Sequence, residues 1–500
     1  MAEGTGFENR KVRKGLGGSN PPASVTRCFI LVRGREKPLY LEGHREFESH
    51  PHRHRIFFMS LKSLIKKIIP PKALLFYHYF IVGLAAVFYG FPSRKMIVIG
   101  VTGTKGKTST VNFIWSCLTA GGYKTGIIST ANIRIGEKEF LNKYHMTMPG
   151  RFTIQRFLAR MARERCEFCV VETTSEGIKQ YRHIGIYYDI AVFTNLSPEH
   201  LESHNGSFEN YKWAKAKMFA ALSSHKKVIA GKEIEKIIIA NKDSRYADYF
   251  LNFKADRKIT FALNNNADYV VKEVQEKKDG VSFKVAGTNF KIGILGKFNA
   301  YNALPAIIIC RLFDISDNLI SKGLRELKTI PGRMEEISEG QNFTVLVDYA
   351  HEKESIANIL ETANGMKKSG AKIIILLGAE GGGRDKAKRP VMGELAAKMA
   401  DYVIVSNVDP YEDDPRQILE DIAASSEKFG KIRNQNLFVI EDRRTGIKKA
   451  LSLAKTDDIA LITGKGAEQS IVIGGRRAPW DDRRVVREEL KLILGGRLSK

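Results

Sequence analysis

Residues 96–110 read MIVIGVTGTKGKTST, and this stretch decides the fold. Its first half is an apolar, β-branched run of the length of one buried strand, and the residues after Lys107 carry a helical pattern. Glycines at 100, 103 and 106 punctuate the passage between the two. A strand, a glycine-rich turn and a helix N-terminus make an anion cradle. Backbone N–H groups along Gly103, Thr104, Lys105, Gly106 and Ser109 turn towards phosphate oxygens, and the helix dipole adds its positive end. Lys107 then reaches the β- and γ-phosphates, and the Thr108 hydroxyl ligates Mg²⁺. The string is GxxGxxGK[ST], because Val101 stands where the commoner GxxxxGK[ST] needs glycine. We therefore expect a nucleoside triphosphate site at the end of a parallel strand.

Outward from this loop, CEFCVVET, YDIAVFTNL and KKVIAG read as further strands alternating with helical stretches. A second series, TVLVDYA, AKIIILLG, DYVIVSN, LFVIED and DIALITG, begins near Phe343. Such alternation implies α/β architecture: a central P-loop parallel-sheet ATPase domain over 96–330, followed by a Rossmann-like C-terminal domain over 331–500. ETTSEGIKQYR, Glu172 to Arg182, follows a strand, so Glu172 sits at a strand end where α/β sites form and is a candidate Mg²⁺ ligand.

The 500 residues are 43% hydrophobic and 27% charged, which excludes a mainly disordered chain, and a net charge of +25 points to polyanionic partners. Of that charge, +11 lies before residue 96. Residues 1–58 read as a basic, disordered extension upstream of a natural start at Met59. Residues 59–95 form a basic and apolar helical segment in which Ala73 to Phe91 is nearly uninterrupted apolar sequence. A helix packed on the next domain, an interfacial membrane helix and a true span are all open for it. Five cysteines, with Cys166 and Cys169 in a strand-like run, fit a cytoplasmic chain and buried filler rather than a zinc site. A nucleic-acid patch competes for the basic segment Arg384 to Arg389, but no aromatics interleave there.

From about Met96 to Leu494 the sequence resembles the Mur ligase family of ATP-dependent amide-bond-forming enzymes, and within it the members that add the third residue of the muropeptide. The resemblance implies addition of a diamino acid, meso-diaminopimelate or L-lysine, to UDP-N-acetylmuramoyl-L-alanyl-D-glutamate through an acyl phosphate, with ATP and two Mg²⁺ ions. It assigns Lys107, Glu172, His200 and Lys215 to catalysis and Thr108, Glu172, His200 and Lys215 to metal. His200 is the first histidine of NLSPEHLESH, in which Glu199 and Glu202 replace the usual aspartates. Lys215 is the lysine of YKWAKAKMF that the family carbamylates with CO₂. Asn302 of GKFNAYNALPA falls to the adenine, Arg333 of PGRMEEI to the phosphates, and Asp348 of VDYAHEKES to the ribose. Thr147 of TMPG with Thr174, Gln180 and Arg182 falls to the muropeptide.

The incoming amino acid would meet Arg384, Asp409, Tyr411, Gly464 and Glu468. Where family members that add meso-diaminopimelate carry DNPR, this chain has VDPY, so Tyr411 replaces the arginine that reads the distal carboxylate. A hydroxyl lacks the bidentate, charge-assisted pairing of a guanidinium. Glu352 and Lys353 replace the usual Thr-Pro and read as a loop change, and Ala467 replaces a histidine in GKGAE. Where the family carries an N-terminal uridine-binding domain, either residues 1–95 form a reduced substitute, with 59–95 in its place, or the uridine is not gripped in the usual way; peripheral membrane contact through 59–95 by a monomeric enzyme is a further expectation. A related folylpolyglutamate or cyanophycin-type ligase, or a membrane-associated nucleotide-binding scaffold without activity, are the competing functions.

Overall fold

Strands that are apolar on both faces can be satisfied only between two layers of helices, and that is how this chain uses them. The computed structural model describes residues 71–144, 146–199, 201–277 and 279–498. Residues 1–58, the start of the 59–95 segment and His200 lie outside the described residues. The first sheet has a parallel core of β1 (Ile97–Thr102), β2 (Thr125–Ile128), β3 (Phe168–Glu172), β4 (Ile190–Phe193), β5 (Ile237–Asn241) and β6 (Arg257–Ala262). Their order across the sheet is β6-β5-β4-β1-β3-β2. An antiparallel hairpin, Asn132–Ile135 with Lys138–Leu141, extends the β2 edge, and Tyr269–Lys277, Gly280–Val285 and Thr288–Ile292 extend the other.

Five of the apolar runs read as strands in the second half, and each lies on one. They are β7 (Thr344–Asp348), β8 (Ile373–Leu377), β9 (Tyr402–Val405), β10 (Leu437–Val439) and β11 (Ile459–Thr463), parallel in the order β7-β11-β8-β9-β10. KKVIAG does not join the first sheet. Val228–Ile229 forms only a two-residue, largely exposed hairpin with Lys232–Glu233, turned at Gly231 in the left-handed region, and the sheet strand is the following Ile237–Asn241. The lysine before the hairpin, Lys227, is drawn into the interior by the Asp189 carboxylate.

The helices that bear on function are α1 (Pro71–Phe88), α2 (Lys107–Ala120), α3 (Arg151–Arg163), α4 (Ser175–Lys179), α5 (Phe208–Leu222), α6 (Phe298–Leu312), α7 (Lys353–Met366), α8 (Lys388–Met399), α9 (Pro415–Lys428), α10 (Arg443–Leu453) and α11 (Asp482–Leu498). Helices α2 and α6 cover one face of the first sheet, burying Val111, Ile114, Ile307 and Ile308. Helices α3 and α5 cover the other with Leu158, Met161, Met218 and Phe219. The second sheet is likewise covered by α7, α8 and α9 on one face and by α10 and α11 on the other. Strand β1 lies between β4 and β3, all parallel, so the direction in which successive strands are added reverses beside it, and a crevice opens at the carboxyl ends of these strands.

Helix α1 covers most of the apolar run before β1. Val82, Ala85 and Ala86 are buried on it, and Ala86 Cβ lies 2.6 Å from where a Cβ on Gly185 would stand. Among the described residues no helix is long and apolar enough to cross a membrane. The face toward α3 therefore follows the packed-helix reading.

Candidate active site

The loop after β1 needs glycine at two positions for reasons visible in the backbone. Gly103 has φ 151° and a Cβ there would sit 2.0 Å from Thr194 Oγ1; Gly106 has φ 81° and a Cβ would sit 2.2 Å from Asn302 Oδ1. The loop closes onto the end of β4, with the Thr104 amide donating to the Asn195 carbonyl at 2.9 Å and the Lys105 amide to Asn195 Oδ1 at 2.8 Å. Lys107 Nζ donates back to the Thr104 carbonyl at 2.8 Å. Burial holds its pKa below the usual lysine range, with Lys105 and Arg333 acting the same way and Glu172 and Glu199 opposing.

Glu172 ends β3 beside Val101 of β1 and is buried. Thr108 Oγ1 donates to it at 3.0–3.1 Å, and Thr130 adds its amide at 2.8 Å and its hydroxyl at 2.9 Å. Arg333 Nη2 donates to the Thr108 hydroxyl at 3.2 Å, while its guanidinium lies 4.5 Å from the Tyr349 ring centre. Lys215, on α5, is buried, and its Nζ donates to the Gly103 carbonyl at 2.7 Å. Burial and the nearby Lys107 hold its pKa well below the ordinary lysine range, against the pull of Glu199 and Glu172. A lysine so placed spends time as the neutral amine, the form able to add CO₂.

These groups line one cavity of about 490 Å³ walled by both halves of the chain. Of the residues expected in the site, Thr104, Lys105, Gly106, Lys107, Thr108, Ser109, Thr147, Glu172, Thr174, Gln180, Arg182, Lys215, Asn302, Arg333, Asp348, Arg384 and Glu468 are on its wall. Gly103 lies just behind, presenting its carbonyl to Lys215. The oxygen donors of Thr108 and Glu172 suit Mg²⁺, which takes one or two protein carboxylates and keeps water and phosphate as its other ligands. Among the described residues no group of three His, Cys, Asp or Glu could hold a metal unaided. Lys215 fits a metal only in carbamylated form, and His200 lies outside the described residues.

Besides Gly103, three expected residues are not on the cavity wall: Asp409, Tyr411 and Gly464. Asp409 is wholly buried, taking Lys465 Nζ at 2.6 Å and the Val472 amide at 2.7 Å. Lys465 in turn pairs with Glu468, so Asp409 acts on the cavity through these two. Tyr411, with φ 54°, stands beside Arg384, which also lies 3.5 Å from Glu380. Asp348 was expected to meet ribose hydroxyls. Its two oxygens accept the amides of Met334 and Ala350 at 2.7 Å each, tying the Arg333 turn to β7 and leaving lone pairs toward the cavity. Asn302 Nδ2 donates to Asn299 at 3.0 Å. On the muropeptide side, Thr147 and Thr130 share a hydroxyl bond of 2.8 Å, Thr174 caps α4 through the Gly177 amide, and Arg182 donates to the Met148 carbonyl and to Gln180.

Sequence reasoning passed over several groups. Thr130 supplies two of the bonds that orient Glu172, yet ISTANI carries no motif. Glu352 is more than a loop change: it is buried, caps α7, and pairs with buried Lys388 at 2.5 Å. Glu199 pairs with Lys105 at 2.5 Å across the loop, and His204, also on the wall, has a buried Nε2 without a hydrogen-bond partner. Cys166 and Cys169 are free, buried thiols whose pKa burial raises.

Comparison with known proteins bears on the same segments. Residues 101–310 match the Mur ligase middle domain and residues 332–466 the Mur ligase glutamate ligase domain. A UDP-N-acetylmuramyl-tripeptide synthetase of Roseiflexus sp. (strain RS-1) is 36% identical over 423 residues, covering 83% of this chain and 82% of that protein. A UDP-N-acetylmuramoyl-L-alanyl-D-glutamate–2,6-diaminopimelate ligase of Geobacillus kaustophilus is 34% identical over 413 residues, covering 82% of this chain and 81% of that one. A solved structure of a ligase with the latter name superposes with TM-score 0.54 at 28% identity, over 80% of this chain and 79% of the other. A Mycobacterium tuberculosis folylpolyglutamate synthase complexed with ADP shares the fold at TM-score 0.61 and 18% identity, over 81% of this chain and 96% of that one.

Proposed function

The chain belongs to the Mur ligase family of ATP-dependent, ADP-forming peptide ligases, and from that premise we propose that it joins a diamino acid, meso-diaminopimelate or L-lysine, to UDP-N-acetylmuramoyl-L-alanyl-D-glutamate. The observation that carries this reading is the convergence of Lys107, Thr108, Glu172, Lys215 and Arg333 on one cavity that also opens to Thr147, Thr174 and Arg182 on one side and Arg384 and Glu468 on the other. Three substrates need three such walls.

A carboxylate cannot expel oxide when an amine attacks it. ATP supplies the phosphoryl group that makes that oxygen a leaving group, and Mg²⁺ neutralises the phosphates during transfer. The chain's own groups do the rest. Lys107 and Arg333 hold the β- and γ-phosphates, Thr108 and Glu172 present oxygens to the ion, and Asn302 and Asp348 face the adenine and ribose. Carbamylation of Lys215 joins its neutral nitrogen to CO₂ with loss of one proton and replaces a cation by a carboxylate-like pair of oxygens, which with His200 would serve a second ion. Thr147, Thr174, Gln180 and Arg182 orient the muropeptide. Glu468, held by the Tyr349 hydroxyl and by Lys465, which Asp409 anchors in turn, receives the distal ammonium of the amino acid, and Arg384 beside Tyr411 stands where a distal carboxylate would be read; Gly464 leaves room for this end. The enzyme acts as a cytoplasmic monomer with peripheral membrane contact through residues 59–95.

The test is the mass of the product after incubation with the dipeptide precursor, ATP, Mg²⁺, lysine and diaminopimelate in equal amounts. A mass gain equal to one diamino acid, with ADP released in step, is expected. Phosphate release that ignores both the precursor and the amino acids would overturn the reading.

A further inference from the structure

Helix α1 is apolar but for Lys72 and His78, and from His78 onward only one of its faces is covered. A surface helix of a water-soluble protein normally turns a polar face outward. Here the outward positions are Phe80, Leu84, Val87 and Phe88, and Phe80, Val87 and Phe88 are 59%, 62% and 72% exposed. Phe152, at the start of α3, extends the strip through ring contacts with Phe88 at 6.2 Å and Tyr89 at 6.5 Å. Isolated exposed apolar side chains are ordinary, but a contiguous aromatic strip is not.

The charge around this strip has one sign. Residues 49–136 contain no Asp or Glu. Helix α3 packs against α1 and carries Arg151, Arg156, Arg160 and Arg163 with no acid of its own, and Arg94, Lys95, Arg156 and Arg163 are exposed. An apolar ridge rimmed by cations fits an anionic lipid surface, in which apolar side chains enter the headgroup boundary while Lys and Arg meet the lipid phosphates. A soluble protein partner would need a matching acidic and apolar surface, whereas a bilayer offers both without specific shape.

We propose that the exposed face of α1, with the exposed arginines of α3, docks on an anionic membrane. This rests on the peripheral contact proposed above and gives it a surface and an orientation. Tyr79 of α1 makes a ring contact of 5.8 Å with Tyr181, whose neighbours Gln180 and Arg182 line the cavity. Docking therefore brings the muropeptide end of the cleft beside the lipid boundary.

The experiment is co-sedimentation of the full chain with vesicles of phosphatidylcholine alone and of phosphatidylcholine with phosphatidylglycerol. Binding to the anionic vesicles is expected to exceed binding to the neutral ones and to fall at least about tenfold when Phe80→Gln, Leu84→Gln and Phe88→Gln are combined. Arg156→Gln with Arg163→Gln should narrow the difference between the two vesicles. All five side chains are outward-facing, and ligation of the soluble precursor by both variants should match the parent, so the docking surface and the ligase reading can fail separately. Sedimentation equal on both vesicles, or unchanged in the triple variant, overturns the proposal. So does a concentration-dependent dimer in solution that the triple variant dissolves, since a second copy would then be the occupant.

Discussion

Replacing Glu172 by glutamine separates the metal role of this carboxylate from its structural one. The side chain keeps its size, and the three donors around it, the Thr108 hydroxyl, the Thr130 amide and the Thr130 hydroxyl at 2.8–3.1 Å, fix what happens. The Thr130 amide can only donate, so the remaining amide oxygen must face it. The new NH₂ group then faces hydroxyls, which can rotate to accept. No donor is orphaned; what is lost is the charge that makes such bonds worth about 1.5–3 kcal/mol instead of about 0.5–1.5. A loss of about 2 kcal/mol follows, or roughly 4–8 °C in Tm for a domain of this size. The reaction should suffer far more. Taking a full negative charge from the metal position should lower kcat at least about 100-fold, or about 2.7 kcal/mol, and raise the Mg²⁺ concentration needed for half-maximal rate. Melting by fluorimetry and ADP release titrated with Mg²⁺ measure the two effects. A Glu172→Gln protein with parental Mg²⁺ dependence and kcat within threefold of the parent would refute the assignment, whatever its Tm.

Three further outcomes follow from the same geometry. Lys215→Ala should abolish turnover and recover part of it with short-chain carboxylic acids that replace the missing carbamate; full activity without them would contradict the carbamate. Gly106→Ala places a Cβ 2.2 Å from Asn302 Oδ1 at φ 81°, a backbone cost of about 1–2 kcal/mol before any overlap, and should erase the melting shift that ATP gives the parent. Burial holds His183 down to about 4 against an ordinary 6.5, so it is neutral when folded and protonates more readily when unfolded. Its contribution is complete above pH 6.5 and is lost as pH falls from 6.5 towards 4, on the order of 3 kcal/mol, and a Tm-against-pH curve for His183→Asn should be flatter across that window.

The glycine-rich loop and the alternation of strands with helices were legible because they rest on local chemistry. Glycine at 103 and 106 answers to backbone conformation and close approach, and the apolar runs answer to burial between helix layers, both of which short stretches of sequence express. The run KKVIAG shows the limit: its apolar residues invited a strand of the main sheet, but only Val228–Ile229 pairs, in a short hairpin, while Lys227 is held by Asp189, 38 residues away in the chain. Glu352 misled for the same reason, since its partner Lys388 belongs to a different helix.

The order of the motifs along the chain, the nucleotide site, the family and the candidate acids and lysines were thus determined by sequence alone, because each is a matter of residue type and spacing within one segment. Tertiary structure decided which of those residues meet. It set Thr130 against Glu172 and Arg333 against Thr108, withdrew Asp409 behind Lys465, and left one face of α1 bare. It also lowered the pKa of Lys215, through burial and the neighbouring Lys107, which only the assembled fold supplies.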